Sequence, residues 1–226
     1  MHWSQELVEG RLIRRYKRFL ADIQFDNETV VTAHCPNPGA MTGLAETGSA
    51  VLVTKSGDSK RKLAYTWELV KVGRIWAIVN TQIANRVVAD WLRRGLVLPG
   101  HTAIRSEFRR GDSRFDFLLD DHCLVEVKSV TLAAGPGEGA FPDSVTVRGT
   151  RHVEGLAQAA ADGMRAVLLF FVARGDLSSV RPADEIDPTY AAALRDAARR
   201  GVEVMAVRAR ATRRGIAFDG VVPVNL

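Results

Sequence analysis

Asp116, Glu126 and Lys128 are the residue types that hold a divalent cation and act on a phosphodiester, and one short stretch carries all three. Two runs rich in β-formers, Arg114-Phe-Asp-Phe-Leu-Leu119 and Cys123-Leu-Val-Glu-Val-Lys-Ser-Val-Thr131, are separated only by Asp120-Asp121-His122, a hairpin-length connection. A three-residue loop pairs Leu119 with Cys123, Phe117 with Val125 and Asp116 with Glu126. Alternation then puts Glu126 and Lys128 on one face, and Val125 and Val127 on the other. Directly opposed Cβ atoms lie roughly 4.5–5.5 Å apart, and like charges placed there are destabilising. Two such carboxylates need a compensating charge, which Mg²⁺ or Mn²⁺ supplies with Lys128 beside it. A hard cation held by one or two carboxylates keeps several waters, and one of these serves as nucleophile. Two alternatives stay open. A two-residue turn at Asp120-Asp121 throws Asp116 onto the other face, and a half-exposed hairpin leaves Glu126 and Lys128 as a plain ion pair. The apolar neighbours Leu118, Leu119, Leu124, Val125, Val127 and Val130 favour a buried sheet, where charges are paired or bind metal.

The elements that must position this hairpin divide near residue 80. Residues 1–80 read as five short strands: Gly10–Phe25, Thr29–His34, Ala50–Thr54, Leu63–Lys71 and Arg74–Val79. Loops punctuated by Gly and Pro join them. Five short strands in a small unit fit an OB-like barrel, a fold whose face and loops hold oligonucleotides; an SH3-like barrel is the alternative. Residues 81–226 change order, to a helix over Asn85–Arg94 stopped by Gly95 and three strands at Ala103–Arg109, Arg114–Leu119 and Cys123–Thr131. A Gly/Pro-rich loop over Ala133–Pro142 and a helix over Gly149–Asp162 come next. A covered strand at Ala166–Ala173, a helix over Pro188–Arg200 and a final strand at Val202–Arg208 complete the pattern. This pattern is a mixed sheet with helices on its faces, an α+β or α/β arrangement.

Composition bounds the function classes. The 226 residues are 46% hydrophobic and 25% charged, ordinary for a soluble globular protein. No run approaches the roughly 18 apolar residues of a membrane span, and the first residues lack the charged and apolar regions of a signal peptide. The cysteines Cys35 and Cys123 match no zinc spacing and fit a reducing cytosol, so a cytoplasmic location is expected. A net charge of +5 points to an anionic partner. Arg11, Arg14, Arg15, Lys17 and Arg18 crowd one segment around Tyr16, and Lys60-Arg61-Lys62 form a second cluster. Both suit a phosphate backbone, and the alternative is a solvated cationic surface.

At full length the residues resemble a known family. Gly10-Arg-Leu-Ile-Arg-Arg-Tyr-Lys-Arg-Phe-Leu-Ala-Asp22, Ala33-His-Cys-Pro-Asn-Pro-Gly-Ala-Met-Thr-Gly43, Lys60-Arg-Lys-Leu-Ala-Tyr-Thr-Trp-Glu-Leu69, Glu126-Val-Lys-Ser-Val-Thr131 and Arg181-Pro-Ala-Asp-Glu-Ile-Asp-Pro-Thr-Tyr190 resemble the sugar fermentation stimulation protein A (SfsA) family. Asp116 followed by Glu126-Val-Lys128 also looks like the PD-(D/E)xK nuclease motif, with Phe-Asp-Phe standing where that motif has Pro-Asp. The resemblance implies an N-terminal OB-like domain and a C-terminal PD-(D/E)xK nuclease-like domain with catalytic Asp116, Glu126 and Lys128. It also implies largely non-specific DNA binding and, by the family's name, a link to the regulation of sugar, notably maltose, metabolism.

A further acidic residue often completes such a metal site, and Glu107 is favoured over Asp90, which sits among basic helix residues and reads as an ion-pair partner. Arg148 and His152 lie four apart on one helix face, placed to meet a phosphate; the alternative is plain surface residues. The loop Pro36–Gly43 reads as structural. Asn80 and Asn85 read as cleft-lining or as ordinary capping. The sum is a cytosolic DNA-binding protein with a Mg²⁺- or Mn²⁺-dependent nuclease-type site. Its competitors are a binder that keeps the fold without chemistry, and a protein directed to RNA.

Overall fold

A computed structural model describes residues 1–111 and 113–226, and its first difference from the sequence reading lies at the N-terminal end. The run expected as one strand from Gly10 to Phe25 is a hairpin of β1 (Leu7–Tyr16) and β2 (Leu20–Gln24). Lys17 and Arg18, at φ 46° and 64°, close the turn in the left-handed region. With β3 (Val30–His34), β4 (Ala50–Lys55) and β5 (Tyr65–Val72), pairing runs β3–β2–β1–β4–β5 and returns from β5 to β3. The closed five-stranded barrel packs Leu12, Ile23, Val53 and Trp67 inside, and closure leaves it no bare edge. Gly10 is required where β1 crosses its neighbour, because a Cβ there would stand 2.8 Å from the Gln24 carbonyl oxygen.

The barrel continues into the second half without a break in the sheet. β6 (Ile75–Ile78) pairs with β5 and, through Trp76 and Ala211, with β14 (Glu203–Thr212). From β14 the order runs through β12 (Arg165–Val172), β9 (Cys123–Val130) and β8 (Ser113–Leu119) to β7 (Ile104–Arg110). β12 lies parallel to both neighbours and is buried along all but its first residue, which explains its near-continuous apolar run. Helix α1 (Ile83–Arg93) covers one face, setting Val87 and Trp91 against Phe117, Val125 and Phe171. Gly95 follows it at φ 66°, the expected stop. Helices α2 (Val147–Ala161) and α3 (Pro188–Arg199) cover the other face, with Val153, Leu156, Tyr190 and Leu194 on Phe115, Leu118 and Leu124. Each such apolar side chain contributes about 1.5–3 kcal/mol by leaving water.

Four strands were not legible. The stretch expected as a Gly/Pro loop folds as β10 (Leu132–Gly135) and β11 (Glu138–Phe141) around Gly137 at φ 74°. These join β13 (Ser179–Pro182) in a second, three-stranded sheet. The final strand is longer than Val202–Arg208 and turns back as β15 (Gly215–Val222). Among the described residues no helix is long and apolar enough to cross a membrane.

The halves also meet through polar contacts. Asp143, just past β11, accepts from the Met41 backbone N–H at 3.3 Å, and Thr81 Oγ1 donates to the Pro36 carbonyl at 2.8 Å. A Cβ on Gly39 would overlap the Asp143 carboxylate, so this loop is a seam between the halves as well as a turn. We expect Gly39→Ala to destabilise the protein by about 1–3 kcal/mol, the usual cost of overpacking. The same substitution should be nearly neutral once Asp143 is Ala, a coupling that denaturant melts of the two single variants and the double variant measure. Additive losses would show that Gly39 is needed for another reason.

Candidate functional site

The hairpin β8–β9 takes the register expected from a three-residue loop: Leu119–Cys123, Leu118–Leu124 and Phe117–Val125. Asp120 and Asp121 turn the chain at φ 45° and 59°. The Asp120 carboxylate pins the neighbouring segment by accepting from the Thr102 and Ala103 amides. Asp116 and Glu126 come next in this register, but the ladder stops before them. The Val127 N–H donates to Asp116 Oδ2 at 2.7 Å instead, and Asn85 Nδ2 of α1 donates to Oδ1 at 2.6 Å. Phe115 packs with α2 and α3 while Phe117 packs with α1, so β8 turns over at Asp116. Across from it on β7, Glu107 sits at φ 58°. The turnover sets the Asp116 carboxylate at the end of the β8–β9 ladder and within reach of the charge on Glu126.

Glu126 is 3% exposed, in a strand paired on both sides. Lys128 Nζ donates to its Oε1 at 2.6 Å, and His152 Nδ1 meets the same oxygen. Arg148 Nε lies 3.4 Å from His152 Nε2 and Lys128 Nζ 3.5 Å from its Nδ1, so the ring sits between two cationic side chains. The other carboxylate oxygen, Oε2, is buried with no hydrogen-bond partner among the described residues.

The electrostatics divide the two carboxylates. Burial pushes Asp116 up to about 6, and the Glu126 charge adds to the shift against the hydrogen bonds from Val127 and Asn85. Burial also pushes Glu126 upward, but the His152 and Lys128 bonds and charges outweigh it and leave Glu126 below its usual range. Burial, then the Glu126 charge, hold the Tyr190 phenol well above its ordinary value. Paired groups driven apart in this way are a mark of working sites.

A cleft of about 460 Å³ opens over these groups, between the two halves. Arg18, Asn37 and Gly39 line it from the barrel side; Asn85, Asp116, Glu126, Lys128, Arg148 and His152 line it from the other. The loop Pro36–Gly43, read as purely structural, therefore forms one wall. The start of α2 is set by Thr146, which caps it and whose own amide donates to Asp187 at 2.8 Å; Asp187 in turn caps α3 through the Tyr190 amide. Asp187, Thr146, Asn37 and Asp143 were not singled out by type or spacing, because the contacts that tie them to the cleft, Thr146–Asp187, Asn37–Val79 and Met41–Asp143, join residues distant in sequence.

The remaining expected residues separate. Glu107 is half-exposed, held by Arg114 at 2.8 Å, and lines a different hollow on the α1 side with Asp116 but without Glu126. Asp90 pairs with Arg94. Among the described residues no three His, Cys, Asp or Glu side chains cluster as a metal centre, so a cation here would rest on Asp116 and Glu126 and keep several waters, as Mg²⁺ does. The donor set fits such an ion on one observation, the partnerless buried Oε2 of Glu126 beside a second carboxylate. Of the basic cluster, Arg18 reaches the cleft. Arg14 is tied to Asp22 at 2.8 Å, and Arg11 donates to the Gly48 carbonyl. Arg15 donates to the carbonyls of Asn37, Gly39 and Ala40, bracing the cleft wall. Lys17 lies in the β1–β2 turn, and Lys60, Arg61 and Lys62 are exposed on the β4–β5 connection. His152 is buried against Glu126 and Arg148 is exposed at the cleft mouth.

Comparison with known proteins places the chain. Residues 13–79 match the SfsA N-terminal OB domain and residues 82–215 the sugar fermentation stimulation protein RE domain. A sugar fermentation stimulation protein homolog of Geobacter sulfurreducens is 49% identical over 96% of each chain. One of Thioalkalivibrio sulfidiphilus is 45% identical over 100% of this chain and 98% of its own. The solved structure of Pyrococcus furiosus SfsA in complex with Ca²⁺ superposes with a TM-score of 0.92 at 27% identity, covering 100% of this chain and 98% of that one.

The raised Asp116 carboxyl has a pH consequence. Asp116 holds its proton to higher pH when folded than its ordinary 3.8, so between about pH 4 and 6 folding takes up a proton. Its contribution to stability is full below that window and is lost as pH rises through it. Without metal, wild type should therefore gain stability relative to Asp116→Asn as pH falls from 7 to about 4. Parallel denaturant melts across that range measure the difference, and a gap independent of pH would contradict the assignment.

Proposed function

The chain belongs to the sugar fermentation stimulation protein family, and on that premise we propose that it binds DNA largely without sequence preference and hydrolyses its phosphodiester bonds with a divalent cation. The observation that carries the reading is a pair of mutually repelling carboxylates, Asp116 and Glu126, lining a cleft edged by arginines, with Oε2 of Glu126 buried and partnerless. The Ca²⁺ in the structure of Pyrococcus furiosus SfsA supports it. Asp116 and Glu126 would hold Mg²⁺ or Mn²⁺, which when bound polarises a phosphodiester oxygen and acidifies a water.

The chain's own groups do the rest. Asn85 and the Val127 amide fix the Asp116 carboxylate, and His152 fixes Glu126. Lys128 carries three donors, of which one meets Glu126. The others orient the attacking water and offset the negative charge that builds on the phosphate oxygens in the transition state. Arg148 and Arg18, on opposite sides of the cleft, are placed for neighbouring phosphates. Among the described residues no helix is arranged to read base edges in the manner of a helix-turn-helix, so phosphate contacts dominate affinity.

One observation favours a second reading, a binder without turnover. Lys128 and His152 already satisfy Oε1 of Glu126, an internal ion-pair network that stands without metal. Calorimetric titration with Mn²⁺ should show binding to wild type and its loss in Asp116→Ala; equal affinity in both would remove the metal site. Lys128→Ala should leave DNA affinity nearly intact and slow cleavage roughly 10²–10⁴-fold, the contribution of a positioned acid or base. If wild type with Mg²⁺ or Mn²⁺ cuts neither single- nor double-stranded DNA, nor RNA, the binder reading holds.

A further inference from the structure

We propose that the nucleic-acid chain seated in the cleft continues outward along an arginine track formed by Arg148 and Arg151 of α2 and by Arg114 and Arg109 of the β7–β8 hairpin. This rests on the nucleic-acid reading above and adds the path of the flanking segment.

Three hollows connect through shared residues. Arg148 and His152 line both the main cleft and a second hollow of about 210 Å³, completed by Ser113, Arg114 and Arg151. Ser113 and Arg114 then line a third, of about 240 Å³, with Arg109 and Gly111. Among the described residues no carboxylate lines the second or third hollow.

The backbone makes this alignment. A Cβ on Gly155 would lie 3.0 Å from the Phe115 ring and 3.4 Å from Ser113 Oγ, so α2 approaches the start of β8 closely there. Arg151 lies four residues before Gly155 and Arg148 three before Arg151, on the same helix face. On the hairpin, Arg109 and Arg114 are directly opposed across the strands. Like charges in opposed positions repel, and an anion between them relieves the repulsion. The Glu107–Arg114 pair is the local counter-charge, and with both side chains 53% exposed it is weak enough to open for a phosphate. Arg109, Arg148 and Arg151 are exposed, and a guanidinium fork suits bidentate phosphate contact. The neighbouring carboxylates of Asp116 and Glu126 call for a cation, and the arginines opposed across β7 and β8 call for an anion.

The test is fluorescence anisotropy in EDTA, so that no cleavage occurs, with labelled ~4- and ~16-nucleotide oligothymidylates, lengths that bracket common single-strand sites. Arg109→Ala/Arg151→Ala should weaken the longer oligonucleotide more than the shorter. It should also flatten the log–log salt slope by about 1.4, at about 0.7 per lost contact on a single strand. Arg199→Ala/Arg200→Ala removes the same charge at the far end of α3 and should change neither. Equal weakening by both pairs would overturn the track in favour of net charge alone. Unchanged binding by Arg109→Ala/Arg151→Ala, with wild type still binding, overturns the track and leaves the DNA reading standing. If wild type binds neither length, that reading falls and the track with it. Arg151→Glu, judged against the thermal melt of wild type, guards against loss of folding.

Discussion

A carboxylate buried in the middle of a sheet needs its charge met from inside the protein, and Glu126 is such a group. β9 is paired on both sides and Glu126 is 3% exposed, so little water reaches the charge. Breaking one partner of a buried pair is strongly destabilising, because the remaining charge is left alone. The surroundings follow from this constraint. Lys128 stands two residues on, on the same face, and α2 delivers His152 from the layer above. Thr146 and Asp187 fix where α2 begins, and so fix where His152 arrives. One oxygen of Glu126 is thereby satisfied, and the other is buried with no hydrogen-bond partner among the described residues.

The same constraint explains the end of the β8–β9 ladder. Continuing it would set Asp116 directly against Glu126 with nothing between them. The strand turns over instead, and Asp116 takes a backbone amide and Asn85 as its partners. Two carboxylates in different surroundings result, one held low by cationic neighbours and one pushed up by burial and repulsion. The barrel contributes a wall rather than chemistry. Its loop at Pro36–Gly43, braced by Arg15 and joined to Asp143, closes the cleft opposite β9.

What the sequence made legible was local. The hairpin register could be read because a three-residue loop leaves few alternatives, and the helices because their apolar spacing and stop signals lie within each segment. An OB-like barrel was readable from the short strands, although Gly10–Phe25 concealed a turn at Lys17-Arg18 that no Gly or Asn marks, and the expected fifth strand, Arg74–Val79, lies outside the closed barrel as β6. β10 and β11 were hidden because the Gly and Pro that read as loop serve as turn and strand end. The Glu126–His152 contact spans 26 residues and the Met41–Asp143 contact 102, so spacing gave no sign of either. Arg15 had the charge of a phosphate contact, and only the fold shows it holding three carbonyls. Glu107 had the right chemistry, but the turnover of β7 and β8 sends it toward Arg114 and the other face.

The central claim is that the Asp116–Glu126 pair is a cation site at the floor of the cleft. A crystal of the protein soaked in Mn²⁺ and measured at the manganese absorption edge tests it most directly. The account predicts an anomalous peak between the two carboxylates, on the Oε2 side of Glu126, with His152 still against Oε1. A crystal without a peak there, in which Lys128 and His152 hold Glu126 and Oε2 faces only apolar neighbours, would contradict it.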